Sequence, residues 1–93
     1  MPTIDLNDKI QRKQTLLDTA INDETVLMDV QKGEYYGLDD IASAVWQLLA
    51  QPTTAAQIIT SLIQRYDGEP EIIRRDTLAL LQNMAERDLL DLG

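Results

Sequence analysis

Asp39 and Asp40 are the densest carboxylate pair beside a candidate binding segment, in a sequence without histidine or cysteine. The usual general bases, nucleophilic thiolates and metal ligands are therefore absent, and only carboxylates remain for acid–base chemistry. Adjacent residues at a helix start point in different directions, so this pair does not make a catalytic dyad. We interpret Asp39 as a helix N-cap and Asp40 as a residue beside the positive end of the helix dipole.

A second acidic group, Asp67, Glu69 and Glu71, alternates along a predicted loop. Alternating carboxylates loosely suggest calcium, but the ligand count and the rest of the EF-hand loop pattern are lacking. A solvated helix start is the better interpretation, and the chain has no Gly-rich loop that would cradle a phosphate. The sequence therefore predicts a protein that is not an enzyme, with no catalytic residue, no metal and no cofactor.

The net charge of −8 narrows the choice of partners. Nucleic acids and anionic membranes are bound through dense Lys and Arg, so we predict neither as a partner. An acidic surface suits a basic peptide or protein, although solubility alone also accounts for it. The apolar runs are far shorter than the roughly 20 residues that span a bilayer, and residues 1–10 lack a signal-peptide pattern. Together with the absence of cysteine, these features predict a small cytoplasmic protein.

Hydrophobic residues make up 44% of the 93 residues, enough for one modest core and too few for two. We predict one domain over residues 1–93, with residues 1–12 as an arm or a loose first strand. Three segments favour β-strands, namely residues 14–21, 24–30 and 34–38, separated by Asn22-Asp23 and Gln31-Lys32-Gly33. Within the second of them, Val26, Met28 and Val30 share one face. The pattern predicts an antiparallel meander of three strands.

Three helices should follow the strands. The first begins after Asp39 and ends before Pro52, the second opens at Thr54 with Gln57 completing a capping box, and the third runs from Pro70 to about Arg87. Their predicted inward faces are Ile41, Val45, Leu48 and Leu49 flanked by Ala42 and Trp46, then Ile58, Ile59, Leu62, Ile63 and Tyr66, then Ile73, Thr77, Leu80, Leu81 and Met84. Leu89 and Leu90 form an apolar tail. The predicted fold class is α+β, with an N-terminal three-stranded antiparallel sheet followed by three helices.

Strands combined with three helices are also typical of a winged helix-turn-helix, which ordinarily suggests DNA binding. The third helix would then enter the groove, yet its arginines are outnumbered by acidic residues. A recognition helix needs a net positive face with side chains directed at the bases. A DNA-binding or purely structural winged-helix protein therefore remains the weaker alternative.

The third strand, with its neighbours "GEYYGLDD", has the properties of an open edge. In a three-stranded meander the outer strands each expose one edge, which proteins normally blunt or use. Residues 34–37 contain neither Pro nor Lys, and Gly37 leaves room for another backbone to approach. A peptide could add here as a further strand, while pockets beside a helix bind its side chains. Tyr36 shares a face with Leu38, so we expect it to pack towards the core.

Residues 24–90 resemble the PqqD-like family of peptide-recognition domains, also called recognition elements of ribosomally synthesised and post-translationally modified peptides (RiPPs). The resemblance is strongest to the stand-alone leader-binding proteins of lasso-peptide biosynthesis. It rests on "ETVLMDVQKGEYYGLDDIASAVWQLL" and "TTAAQIITSLIQRYDGEPEIIRRDTLALLQNMAERDLL". The shared features fall in order on Asp29, Gly33, Tyr35-Tyr36, Leu38, Trp46, Thr54, Tyr66-Asp67, Asp76 and Leu89-Leu90. One departure is Asp88, where the family often has the Gly that closes the last helix.

The resemblance implies a winged helix-turn-helix-like fold without catalysis of its own. Family members of this kind bind the leader region of a precursor peptide and present it to processing enzymes, in lasso systems a leader peptidase and a macrocyclase. A PqqD-type peptide chaperone in pyrroloquinoline quinone biosynthesis, or in another RiPP pathway, is the alternative that the same residues allow.

The resemblance also implies where the leader would bind. The leader would add to the third strand through the backbone of Glu34, Tyr35, Tyr36 and Gly37, and Val30 would close one end of the groove. On the third helix, the implied groove residues are Arg74, Arg75, Leu78, Leu81, Gln82 and Ala85. For Leu78 and Leu81, an ordinary place in the core is an equally good interpretation.

Overall fold

The computed structural model describes residues 4–22 and 24–92, so residues 1–3 of the predicted arm and Asp23 of the predicted turn lie outside it. Within these ranges the chain has an α+β fold with three helices and two antiparallel sheets, which confirms the predicted class. In chain order the elements are β1 (Lys9–Arg12), β2 (Leu17–Ile21), β3 (Glu24–Asp29), β4 (Glu34–Leu38), α1 (Asp40–Leu48), β5 (Thr53–Thr54), α2 (Ala55–Arg65), α3 (Pro70–Glu86) and β6 (Leu90–Leu92). No helix in the described ranges is long and apolar enough to cross a bilayer.

The meander predicted from the sequence is present as the sheet β2–β3–β4, with β3 in the middle. Gly33 has φ 68° and lets the chain turn from β3 into β4. Leu27 is fully buried and lies on the face of β3 that meets the core, whereas Val30 is 62% exposed. Because successive side chains of a strand point to opposite faces, the apolar row of Val26 and Met28 lies on the outer face of the sheet.

A second sheet, β5–β1–β6, was not predicted. The strand β1 pairs with β5 on one side and with β6 on the other, and Ile10 in its middle is 1% exposed. Of the two interpretations offered for residues 1–12, an arm or a loose first strand, the strand fits residues 9–12, which lie in the middle of this sheet. The predicted apolar tail is also more than a tail, because Leu90 pairs with Arg12 and is buried.

The helix boundaries follow the capping residues that the sequence indicates. Asp39 Oδ1 accepts a hydrogen bond from Ala42 N at 2.9 Å, and Thr54 and Gln57 form the predicted capping box. Pro70 occupies the first turn of α3. The predicted inward orientation is wrong for two residues, since Ile41 is 49% and Ile63 is 37% exposed. Each apolar stripe is wider than the face that its helix packs against the rest of the protein.

Trp46 is the largest fully buried side chain and joins α1 to the strands. Its Nε1 donates to Asp18 Oδ2 at 2.9 Å, which ties the helix to β2. The guanidinium of Arg12 lies 5.5 Å from the centre of the indole ring and 3.3 Å from the same carboxylate. This small network joins α1 to β1 of one sheet and to β2 of the other.

Candidate peptide-binding groove at the β4 edge

The strand β4 pairs with β3 on one side and, among the described residues, with no strand on the other. The hydrogen bonds of Ser43 in α1 indicate which backbone groups face that open side. Its Oγ accepts from Thr25 N at 3.1 Å and donates to Leu38 O at 3.2 Å, so the hydroxyl bridges the opposed pair at the end of the β3–β4 ladder. At the other end, Asp29 O accepts from Gly33 N in the turn that leads to β4. Thr25 and Asp29 thus direct their backbone groups towards β4.

Alternation along the ladder then fixes the remaining residues. In an antiparallel pair, residues that bond to one neighbour alternate with residues that face the opposite side. Since Leu38 and Glu34 pair with Thr25 and Asp29, the residues between them alternate, and Tyr36 bonds to Leu27. We infer that Tyr35 and Gly37 direct their N–H and C=O groups to the open edge. A Cβ built on Gly37 would meet nothing within 4 Å, so the outer face of the sheet is open at this residue.

A groove of about 330 Å³ lies along this edge, between β4, α1 and α3. Its strand wall is Tyr35, Tyr36, Gly37 and Leu38, its helix wall is Leu80, Asn83, Met84 and Arg87, and Asp39, Ala42 and Leu89 complete the lining. A larger hollow of about 400 Å³ lies beside α2 and the end of α1, but its lining contains no charged residue, and the edge strand that it touches, β5, has only two residues. The groove beside β4 is therefore the candidate site.

Tyr36 and Arg87 form the polar end of the groove. The Tyr36 hydroxyl donates to Glu34 Oε2 at 2.6 Å, and the guanidinium of Arg87 lies 5.5 Å from the centre of the tyrosine ring. The hydrogen bond to Glu34, followed by burial, raises the pKa of Tyr36 above its ordinary value of 10.0. The hydroxyl is therefore a proton donor at neutral pH and no nucleophile. This arrangement is suited to binding a polar group of a ligand. Among the described residues, no cluster of three or more acidic side chains is placed to hold a metal ion.

The structure brings together the strand residues that the sequence singles out. Tyr35, Tyr36 and Gly37 form the strand wall, and Glu34 contacts Tyr36 at the end of it. Tyr36 is half-buried and packs against the core, in agreement with its predicted orientation. Val30 lies in the β3–β4 turn and is not part of the groove lining.

The structure does not bring the six predicted residues of α3 into the groove. Leu81 is fully buried in the core, Leu78 and Ala85 pack against it, and Gln82 accepts a hydrogen bond from Ile4 N. Arg75 contacts Asp76 in solvent, and Arg74 lies in a hollow beside Leu6 and Pro70. At about 100° of rotation per residue, the average direction of these six side chains is nearly opposite to that of the helix wall of the groove.

The residues that sequence reasoning missed do have a sequence signature. Leu80, Asn83, Met84 and Arg87 follow the spacing i, i+3, i+4, i+7, which places them on one face of α3. The buried line of Thr77, Leu81 and Met84 was predicted correctly. It separates two flanks of the helix, and periodicity alone does not indicate which of them faces β4.

The fold and the groove define a small α+β protein with an open strand edge beside a helix. The profile of the family described as "Coenzyme PQQ synthesis protein D (PqqD)" matches residues 24–90, and the chain belongs to this family. Its relative in Methylorubrum extorquens, the "Bifunctional coenzyme PQQ synthesis protein C/D", is 39% identical over 56 residues, which are 60% of this chain and 15% of that protein. The chain thus matches only a small part of that relative.

Three solved structures share the fold over most of their length. "TbiB1 in Complex with the TbiA(beta) Leader Peptide" has a TM-score of 0.79 and 28% identity, covering 87% of this chain and 94% of that chain. The PqqD truncation of Methylobacterium extorquens PqqCD, described as a functional, stand-alone RiPP recognition element, has a TM-score of 0.77 and 27% identity, covering 96% and 95%. "Lasso peptide synthetase B1 complexed with the leader peptide" also shares the fold, with a TM-score of 0.77 and 24% identity, covering 88% of this chain and 96% of that chain. The predicted resemblance to PqqD-like recognition elements, including those of lasso-peptide systems, is confirmed.

Proposed function

We propose that this protein binds the leader region of a ribosomally synthesised precursor peptide, which adds as a strand to β4 and places side chains in the adjoining groove. The observation that carries the proposal is the open β4 edge, where Tyr35 and Gly37 direct backbone groups towards the groove. The complex of TbiB1 with a leader peptide, which has the same fold, supports it. The protein would act as a binding partner and carry out no reaction itself.

The energetics assign different roles to the strand and to the groove. Tyr35 and Gly37 offer two donors and two acceptors at the edge. At about 0.5–1.5 kcal/mol for each net hydrogen bond, four bonds contribute about 2–6 kcal/mol. Association itself costs about 4–15 kcal/mol. The backbone ladder alone therefore gives little affinity, and burial of apolar side chains in the groove, at about 25 cal/mol per Å², must supply the rest.

Within this proposal, we favour a lasso-peptide pathway, with a leader peptidase and a macrocyclase as the enzymes that receive the bound precursor. The fold shared with lasso peptide synthetase B1 in complex with its leader peptide, over 88% of this chain, supports this choice. A role in pyrroloquinoline quinone assembly is the second candidate, because the family profile and the Methylorubrum relative both carry that description. The precursor encoded beside the gene separates the two, since each pathway has a different leader sequence. The site of action would be the cytoplasm, where such precursors are made.

The proposed architecture remains that of a winged helix-turn-helix-like fold used for a peptide instead of DNA. The β2–β3–β4 sheet would be the wing, and its outer strand would carry the ligand. The net charge of −8 opposes the alternative of binding a phosphate backbone.

Nuclear magnetic resonance titration of the ¹⁵N-labelled protein tests the proposal residue by residue. The probes are the leader peptide of the neighbouring precursor and, for comparison, the TbiA(beta) leader peptide. We expect the largest shifts at Tyr35, Tyr36 and Gly37 and along the helix wall that contains Leu80 and Asn83. Shifts concentrated at Leu78 and Gln82 would instead support the set of groove residues that the sequence resemblance implies. A spectrum unchanged by both leaders would contradict leader binding.

A further inference from the structure

Arg87 is a cation on the groove wall, and within the described part of the chain it forms no ion pair. The nearby carboxylate of Glu34 already accepts the Tyr36 hydroxyl at 2.6 Å. Asp39, at the opposite end of the groove, caps α1 through Ala42 N. A charged donor therefore faces the groove, and Glu34 and Asp39 each already accept a hydrogen bond from another group.

The contact with Tyr36 also holds Arg87 in a defined position. Its guanidinium lies 5.5 Å from the centre of the ring, within the range of a cation–π contact. Arginine presents its N–H groups as a planar fork that matches a carboxylate with two parallel hydrogen bonds. An arginine held on a tyrosine ring loses less rotamer freedom when it binds such a group. The pair of Arg87 and Tyr36 is thus arranged to receive a carboxylate from a bound ligand.

The rest of the helix wall indicates what lies next to that carboxylate. Met84 and Leu80 continue the wall from Arg87 towards Ala42 and are mainly apolar. At 1.5 Å per residue they lie about 4.5 and 10.5 Å along the helix from Arg87. Alternate side chains of an added strand are separated by about 6.6 Å, which falls between these two distances. If one side chain of the added strand lies at Arg87, the side chain two positions away therefore lies beside Met84 and Leu80.

We propose that Arg87 selects leader segments in which an Asp or Glu lies two positions from a large apolar residue, the acid facing Arg87 and the apolar side chain facing Leu80 and Met84. This proposal rests on the proposed function, since it specifies which leaders the groove accepts. The net charge alone predicts a preference for basic peptides. The proposal predicts the opposite preference at this position, because Arg87 is the charged group nearest to the bound side chain.

The local contact outweighs the overall charge at physiological ionic strength. Exposed charges farther apart than about 8 Å are largely screened at 0.15 M salt. The net charge of −8 is spread over the whole surface, whereas a carboxylate bound at the exposed Arg87 would lie within hydrogen-bond distance of its guanidinium. Partly exposed ion pairs of this kind change affinity by about fivefold. Raising the salt concentration should therefore weaken the general repulsion first and the preference for an acidic residue last.

Selection from a displayed library of random 16-residue peptides tests the proposal without knowledge of the natural leader. Wild type, Arg87→Glu and Arg74→Glu are compared, the last being a matched charge reversal on the opposite flank of α3. We expect wild type and Arg74→Glu to enrich Asp or Glu two positions from a large apolar residue. Arg87→Glu should enrich Lys or Arg at the acidic position. Synthetic peptides that differ only by Glu or Lys there should differ about fivefold in affinity, with the sign reversed in Arg87→Glu.

The outcomes separate this inference from the proposed function. If wild type and Arg87→Glu enrich peptides of the same charge pattern, the inference is wrong while peptide binding stands. If wild type enriches no peptide at all, the proposed function fails and the inference fails with it. Should Arg87→Glu not fold, Arg87→Gln takes its place, and loss of the acidic preference without reversal is then the expected result. An unchanged acidic preference in Arg87→Gln would overturn the role of Arg87.

Discussion

Lys13 Nζ lies 2.7 Å from Asp88 Oδ1, and this ion pair joins the end of β1 to the end of α3. Asp88 also lies 3.8 Å from Lys32, in the turn between β3 and β4. The same carboxylate therefore links both sheets to the segment that carries Arg87 and Leu89 of the groove. Its backbone has φ 62°, the left-handed conformation that glycine adopts most readily. The residue that departs from the family pattern thus has a structural role of its own.

The first prediction concerns pH. The hydrogen bond and charge of Lys13, followed by the charge of Lys32, lower the pKa of Asp88 below 3.8. A carboxylate with a lowered pKa in the folded state stabilises the fold above its unfolded pKa, and this contribution is lost as pH falls through the folded value. We expect Asp88→Asn to be less stable than wild type at pH 6, with the difference shrinking below pH of about 3.8. Urea unfolding at pH 6 and below pH of about 3.8 measures the difference in the free energy of unfolding between the two proteins. A difference that does not change with pH would contradict the lowered pKa of Asp88.

The second prediction separates the charge of Asp88 from its backbone conformation. Asp88→Ala loses both ion pairs and places a residue with a Cβ at φ 62°. Asp88→Gly loses the same ion pairs but adopts that conformation without strain. We expect Asp88→Gly to melt at a higher temperature than Asp88→Ala when unfolding is followed by circular dichroism. Equal melting temperatures would show that the left-handed backbone carries no strain.

The third prediction concerns the hydrogen bond between Trp46 and Asp18. Trp46 is 1% exposed, so removing the Asp18 carboxylate takes away the acceptor of a hydrogen bond that water can replace only poorly. We expect Asp18→Ala to lower the free energy of unfolding by about 1–2 kcal/mol, and Asp18→Asn, which keeps an oxygen acceptor, by less. The chain has one tryptophan, so its fluorescence in urea reports directly on this site. An equal loss of unfolding free energy in Asp18→Asn and Asp18→Ala would show that the charge of Asp18 is responsible instead of the hydrogen bond.

The fourth prediction decides between the two flanks of α3. Leu80 and Leu78 are both half-buried leucines packed against the core, but only Leu80 lines the groove. We expect Leu80→Ala to weaken leader binding by about tenfold, because it removes apolar surface that a bound side chain would cover. Leu78→Ala should lower stability to a similar extent and leave affinity unchanged. Fluorescence polarisation measures affinity, and thermal unfolding measures stability. Weaker binding by Leu78→Ala alone would place the leader on the other flank.

Local patterns predicted the elements whose boundaries depend on local chemistry. The cap at Asp39, the capping box of Thr54 and Gln57, and the strand from Glu34 to Leu38 are all present. Each depends on residues within a few positions of one another, so the sequence carries the whole signal.

Long-range pairing left no such signal. The strands β1, β5 and β6 contain four, two and three residues, too few for a period-two pattern, and they pair across most of the chain. The helix wall of the groove escaped prediction for a related reason. Whether Leu80 or Leu78 faces β4 depends on how α3 rotates against the sheet, and this rotation is set by core packing around Leu81 and Met84.

Strand addition at β4 is the central claim, and a pair of proline variants tests it most directly. Gly37→Pro removes an N–H that points to the open edge of β4, while the bonds between β3 and β4 remain. By the same alternation, Ala20→Pro removes an edge N–H from β2, at the opposite edge of the same sheet. Circular dichroism first establishes that both variants are folded.

The measurement is a fluorescence-polarisation titration of the neighbouring precursor's leader peptide against wild type, Gly37→Pro and Ala20→Pro. We expect Gly37→Pro to lose at least about tenfold in affinity and Ala20→Pro to bind like wild type, because only the β4 edge receives the peptide. Equal affinity of a folded Gly37→Pro and wild type would contradict strand addition at β4 and move the binding site elsewhere on the protein.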